Sequence, residues 1–240
     1  MALVKTNAIV ISALKYSEAD LIVKAYTLSD GLKTYHIRGV LKSRKGKLRT
    51  AMFQPLTQLH IEASHKDKGT LEHIREARVI HHYQELHTQV VKSAIVLFLS
   101  EMLRNVIQEE EANPDLYEYL ITTFNWLDLE NDIANFHLLF LTQLTRYLGF
   151  TPDESTLPNP YFNLLDGTFE PSEQNFYCQT GEHVNILITL LGTKFDALHE
   201  TKLNQNQRAA VLHMLLQYYE LHMQGFKKPR SLAVLNTIFS

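Results

Sequence analysis

The hydrophobic pattern of the chain changes period once, near residue 80. Before that point apolar residues come in short runs or alternate with polar ones, as they do in strands. Ala8-Ile9-Val10-Ile11 and residues 21–27 (LIVKAYT) are runs rich in β-branched side chains. Asp30-Gly31 separates the second run from residues 32–40 (LKTYHIRGV), and an Asp-Gly pair in that position predicts a hairpin. Residues 56–63 (LTQLHIEA) alternate apolar and polar, and Gly69 ends a polar turn before a fifth segment at 70–80. Five short strands in about 80 residues predict a small barrel or a sandwich.

Beyond about residue 82 the period is helical. Val91, Ala94, Ile95, Phe98, Met102, Leu103 and Val106 recur at steps of three and four, which places them on one helix face. That helix is predicted to end at Glu109-Glu110-Glu111, before Asn113-Pro114. A second helix is predicted over 114–127. A third is predicted over 132–147, with Asn131 or Asp132 as its N-cap and Gly149 just past its end. Residues 151–182 interrupt the pattern with Pro152, Pro158, Pro160 and Pro171, and Asp166-Gly167 predicts an inserted hairpin there. Helices resume near Glu182 and are strongest over 205–224.

The chain has 240 residues, 45% hydrophobic and 20% charged, enough for a sizeable core without covalent staples. Cys178 is the one cysteine, which excludes an intrachain disulfide and a Cys-rich zinc site. There is no uninterrupted run of 18 apolar residues, and Met1 to Thr6 lacks the apolar core of a signal peptide. The expectation is a cytoplasmic protein with no membrane partner. Charge divides unevenly. Residues 1–80 hold 14 Lys and Arg against 7 Asp and Glu, a net +7, while residues 81–240 hold 9 against 19, a net −10. That division predicts a first module facing nucleic acid or an anionic surface and a second serving as scaffold or protein-binding surface.

No Gly-x-Gly-x-x-Gly, Walker-type phosphate loop or Gly-x-Ser-x-Gly elbow occurs, so no catalytic residue is assigned. Among twelve histidines the densest group is His81-His82 with His87. Residues five apart on a helix point about 140° away from each other, and no His-Glu-x-x-His is present. The histidines read as solvated or core-edge groups, and neither a metal nor a cofactor is expected.

The sharpest signal is residues 38–49 (RGVLKSRKGKLR). Six of these twelve residues are basic (Arg38, Lys42, Arg44, Lys45, Lys47 and Arg49) and none is acidic. Such a run creates a positive field that phosphates enter with release of counterions; read more plainly, it is a solvated loop. Tyr16, Tyr26, Tyr35 and Phe53 supply aromatic rings that either stack on bases or fill the core.

Ala8-Ile9-Val10, then Tyr16-x-Glu18-x-Asp20, Thr27, Gly31 and Arg38-Gly39-Val40 ahead of the basic loop together resemble the start of RecO-type DNA recombination and repair proteins. Leu148-Gly149-Phe150-x-Pro152 resembles that family's helix end before its inserted segment, and the order of modules matches over nearly the whole chain. The resemblance implies an α+β chain: an N-terminal five-stranded OB-fold barrel over 1–80, then an α-helical domain over 81–240 with a small inserted hairpin segment at about 151–182. It implies binding of single- and double-stranded DNA, annealing of complementary strands, and loading of the recombinase RecA onto coated single strands at the nucleoid, without enzymatic turnover. It also implies partnership with RecR and with the acidic C-terminal tail of single-stranded-DNA-binding protein. Several family members carry a four-cysteine zinc site in the inserted segment; this chain has only Cys178 there, so no zinc is expected.

The expected phosphate contacts are Lys33, Arg38, Lys42, Arg44, Lys45, Lys47 and Arg49. Tyr16, Tyr26 and Tyr35 are candidates for base stacking. Arg104 and Arg146, each near the end of an otherwise apolar helix, are candidates for the partner tail. The competing classes are a protein-interaction adaptor, an RNA-binding barrel and, disfavoured by the missing motifs, a metal-dependent hydrolase.

Overall fold

The computed structural model describes residues 2–43, 46–66, 71–108 and 111–239. They form two compact units, Met1–Asp128 and Leu129–Ser240.

The first unit begins with an antiparallel sheet of β1 (Ala2–Lys15), β2 (Leu21–Thr27), β3 (Gly31–Ile37), β4 (Gln58–His65) and β5 (His73–Val79), in the order β3-β2-β1-β4-β5. β1 runs well beyond the apolar segment that predicts it. Its first half pairs with β4, from Ala2↔His65 to Ile9↔Gln58, and its second half with β2, from Ala8↔Thr27 to Lys15↔Leu21. Only the shared centre is closed to solvent throughout, with Ala8, Ile9, Val10 and Ile11 all at 0% exposure. A strand covered on both sides reads as a continuous apolar run, so the sequence displays that centre and hides the flanks. A register shift between Val10 and Ser12 bends the strand between its two partners.

The sheet closes on itself. The His36 N–H donates to the Glu72 carbonyl at 2.9 Å, and the Glu72 N–H donates to the Thr34 carbonyl at 2.8 Å, a parallel bridge between β3 and the residue preceding β5. This one bridge joins the two end strands and leaves the barrel partly open. This strand order with this closure is an OB-fold barrel, which resolves the choice between barrel and sandwich. Its interior holds Val10, Val23, Tyr35, Ile37, Phe53, Leu59 and Ile61 among others. Phe53 is therefore core.

The predicted Asp30-Gly31 hairpin forms between β2 and β3. Gly31 sits at φ +62°, and a Cβ there would lie 2.3 Å from the Glu111 carbonyl oxygen, so both the backbone and the space require glycine. β3 stops at Ile37, three residues short of the predicted end, because Gly39 at φ +67° turns the chain away.

Residues 80–89 are irregular, and helix α1 (Val90–Val106) starts later than the sequence predicts. The Gln89 side chain caps it by accepting the Lys92 N–H at 2.7 Å. α2 (Pro114–Leu129) follows. The Asp128 carboxylate gathers the N–H groups of Gln84, Glu85 and Leu86 at 2.8, 2.9 and 2.7 Å. Burial pushes that carboxyl up, but the three donors and Lys92 outweigh burial and hold it below its ordinary value. Lys92, 1% exposed, donates to the Glu85 carboxylate at 2.8 Å and to the Asp128 carbonyl at 2.6 Å.

The second unit contains α3 (Phe136–Leu148), β6 (Tyr161–Asn163), β7 (Thr168–Glu170), β8 (Cys178–Thr180), α4 (Glu182–Gly192), α5 (Gln205–His222) and α6 (Leu232–Ile238). α3 ends as predicted at Gly149, which is left-handed at φ +82° and bonds back to the Thr145 carbonyl. Its start is four residues later than predicted, with Asn135 as N-cap. The inserted segment holds the predicted β6–β7 hairpin plus a third strand, in the order β7-β6-β8. Phe162 and Phe169 meet at 4.9 Å, and Phe162 packs on Tyr218, whose hydroxyl donates to the Phe150 carbonyl at 2.7 Å. No described helix is long and apolar enough to cross a membrane.

Candidate nucleic-acid interface

β1 leaves the barrel at Lys15 and β2 re-enters at Leu21, so Tyr16 to Asp20 form a tight turn. The Tyr16 N–H donates to the Asp20 carbonyl at 3.0 Å, and the Ser17 hydroxyl accepts the N–H groups of Ala19 and Asp20 at 3.3 and 3.2 Å. Asp20 then reaches across to the end of β3. Its Oδ1 accepts the Gly39 N–H at 2.8 Å, and its Oδ2 lies 2.9 Å from His36 Nε2. The Gly39 N–H, with His36 second, holds this carboxyl below its usual value. Two further contacts join the same pieces: the Leu41 N–H donates to the Ala19 carbonyl at 3.0 Å, and Lys42 Nζ pairs with Glu18 Oε2 at 3.2 Å. The root of the basic loop is thus pinned to the β1–β2 turn.

Arg38, Lys42, Lys47 and Arg49 are exposed. Lys47 Nζ lies 2.5 Å from Glu76 Oε1 on β5; this hydrogen bond raises the Lys47 ammonium and lowers the Glu76 carboxyl. Arg38 and Arg49 form no ion pair with another described residue. Arg44 and Lys45 lie outside the described residues.

Lys33 leaves the set of surface cations. It is 8% exposed, because strand alternation places it on the inward side of β3 with Tyr35 and Ile37. Two of the three candidate stacking tyrosines are also core. Tyr35 is fully buried with its hydroxyl 2.9 Å from His65 Nε2, and burial pushes that phenol far up. Tyr26, 2% exposed, donates its hydroxyl to the Asn113 carbonyl at 3.3 Å and stacks near Tyr117. Neither ring can receive a base. Tyr16 remains at the surface, 64% exposed, with its ring 5.5 Å from that of His36 in an edge-on arrangement.

Arg104 and Arg146 are exposed in the last turns of α1 and α3, where a cation complements the negative end of the helix dipole. The described residues bring together no group of three or more His, Cys, Asp or Glu side chains suited to a metal ion, and Cys178 is a free thiol. His87, from the densest histidine group, lies with its Nε2 2.8 Å from the Pro55 carbonyl.

Sequence reading missed Asp20 and His36 as positioning groups, and it missed Lys24 on the outer side of β2. Strand alternation was the available signal: Ile22 and Lys24 pair with His36 and Thr34, all on the half-exposed side of the ladder.

A family model described as recombination protein O N terminal matches residues 1–83, and one described as recombination protein O C terminal matches residues 87–232. The DNA repair protein RecO of Christiangramia forsetii is 59% identical over 237 residues, 99% of each chain. That of Flavobacterium johnsoniae is 48% identical over 240 residues, 99% of each chain, and that of Bacteroides fragilis 34% identical over 240 residues, 98% of each chain.

Proposed function

The chain belongs to the RecO family, with a role in DNA repair and recombination, and from that premise we propose that it binds single- and double-stranded DNA, anneals complementary strands and helps load recombinase onto coated single strands. The observation that carries this reading is the pinned root of the basic loop: Gly39, Leu41 and Lys42 are each bonded to the β1–β2 turn. A loop anchored at its base presents its cations at a defined place on the barrel.

Annealing brings two polyanions together, so mutual repulsion must be screened. Arg38, Lys42, Arg44, Lys45, Lys47 and Arg49 supply that screening. Arg suits bidentate contact with phosphate, and Lys acts as a point charge. No bond is made or broken in these steps, so the reading calls for no catalytic residue, metal or cofactor. Residues 1–80 are the DNA-facing domain, and residues 81–240, with the insertion at about 151–182, carry the partner surfaces. RecR and the acidic tail of single-stranded-DNA-binding protein are the partners, with Arg104 and Arg146 as the cations for the tail. The protein works in the cytoplasm, at the nucleoid.

Fluorescence strand annealing tests this, with complementary oligonucleotides bare and then coated with single-stranded-DNA-binding protein. Wild type should accelerate annealing, and a Lys42→Ala, Arg44→Ala, Lys45→Ala variant should lose most of the acceleration. Its log–log salt slope on single strands should shrink by about 0.7 per lost phosphate contact. Absence of annealing and of DNA binding at low salt would leave the protein-interaction adaptor as the better reading.

A further inference from the structure

We propose that the inserted segment of one copy docks through Phe176 and Leu165 on the basic segment after α5 of a second copy, and the reverse, giving a two-fold dimer with two equivalent contacts. Both halves of the contact belong to the second unit, so the DNA-binding reading is not a premise. On the inserted segment Phe176 is 90% exposed and Leu165 48% exposed. One side chain brings their turns together. Asn163, 2% exposed, accepts on its Oδ1 the Leu165 N–H and an Asn175 side-chain N–H, each at 3.1 Å. The Leu164 N–H adds a bond to the Tyr177 carbonyl at 3.2 Å. Asn175 also accepts the Tyr177 N–H on its Oδ1 at 2.8 Å and the Cys178 N–H on its carbonyl at 3.1 Å. The backbone on both sides of Phe176 is therefore fixed. A ring held in this way loses little freedom when a partner covers it, and aromatic residues are enriched at interfaces.

Charge identifies the partner. Residues 151–182 hold Asp153, Glu154, Asp166, Glu170, Glu173 and Glu182, and no Lys or Arg. None of these acids forms an ion pair with another described residue, whereas Glu18, Glu62, Glu76, Asp132 and Glu220 each meet a lysine. The complement follows α5. Residues 221–240 contain Lys227, Lys228 and Arg230, and no Asp or Glu. These three cations are exposed around the buried Pro229, and Phe226 anchors the segment with its ring 6.0 Å from that of Tyr219.

The two segments flank the last turn of α5. His222 Nε2 lies 2.9 Å from the Leu164 carbonyl, which puts the inserted segment on the His222 side. Lys228 pairs with Glu220 at 3.3 Å, and residues two apart on a helix point about 200° apart, so the basic segment runs along the other side. A two-fold axis beside the end of α5 exchanges these sides, so the acidic segment of each copy meets the cations of the other, as an isologous interface requires. Arg230 forms no ion pair with another described residue. A guanidinium or ammonium over the Phe176 face adds a cation–π contact, and the stems of Lys and Arg cover the apolar pair.

Sedimentation velocity of the full chain tests this across about 1–100 μM, the range of weak pairing. Wild type should shift from monomer to dimer with concentration. The dimer should weaken in about 1 M salt, where charges are screened beyond about 3 Å. Phe176→Ser should raise the dimer dissociation constant about 25-fold, roughly fivefold for each of the two anchors. Its urea midpoint should not move, because the ring is exposed. A Glu170→Lys, Glu173→Lys variant and a Lys227→Glu, Arg230→Glu variant should each stay monomeric, and an equimolar mixture should dimerise, because each contact then again joins opposite charges. A wild type that stays monomeric throughout would overturn the self-pairing and leave the inserted segment to a basic partner of another kind. A dimer that Phe176→Ser leaves intact, or charge variants that mixing does not restore, would overturn this surface.

Discussion

Lys47 and Glu76 are 29 residues apart in sequence, and their side chains meet at 2.5 Å, tying the basic loop to β5. The pair is exposed, so it contributes little to stability. Its consequence is for charge: one cation of the loop is already neutralised before any phosphate arrives.

Glu76→Gln should therefore release Lys47 to solvent and tighten DNA binding. The single-strand salt slope should steepen by up to about 0.7, one phosphate contact. Anisotropy titrations at several salt concentrations read this directly. An unchanged slope would place Lys47 away from the bound strand.

Gly31→Ala should destabilise the protein by about 2–4 kcal/mol, combining left-handed backbone strain with overpacking. The new Cβ would stand 2.3 Å from the Glu111 carbonyl oxygen, with backbone and not a flexible side-chain tip in the way. Urea unfolding measures the change as a lower midpoint at constant slope. A loss of only about 1–2 kcal/mol, the left-handed backbone strain alone, would mean that the segment at Glu111 moves aside freely.

His137, 2% exposed, is held neutral by burial and, second, by the charge of Arg208, with its pKa lowered from 6.5 to about 3. The unfolded chain takes up this proton near pH 6.5, and the folded chain does so only near pH 3. The stability tied to the neutral ring is thus complete above pH 6.5 and falls as the pH drops from 6.5 towards 3. His137→Phe keeps a ring against Phe239, which stacks on His137 at 5.4 Å, and should flatten the stability curve over that window. Urea unfolding at pH 7, 6 and 5 compares the two. Parallel curves would assign the acid sensitivity to other groups.

The parts of the fold legible in the sequence are those set by neighbours in the chain. The β2–β3 hairpin follows from Asp30-Gly31, and the end of α3 follows from Gly149, because both depend on the conformational freedom of one residue. The start of α3 is different. Asn131 and Asp132 are good capping residue types, but the helix starts after Asn135, whose side chain donates to the Thr201 carbonyl at 2.6 Å. A partner 66 residues away cannot be read from local propensity. β8 was missed for a similar reason: its three residues, Cys178, Gln179 and Thr180, carry no alternation of their own and extend only because β6 supplies the pairing.

The sequence by itself determined the strand and helix periods, the turns that need glycine, the basic run at 38–49 and the residues that carry the family resemblance. Tertiary structure decided which of the predicted functional side chains reach solvent. Lys33, Tyr26 and Tyr35 belong to strands whose alternation is visible in the sequence, yet their burial depends on the barrel and on the segment packed beside it. The engagement of Lys42 by Glu18, of Lys47 by Glu76 and of Asp20 by His36 and Gly39 likewise had to await the folded barrel. Periodicity records only the side of an element on which a residue lies; its neighbours are set when closure brings distant strands and turns within bonding distance.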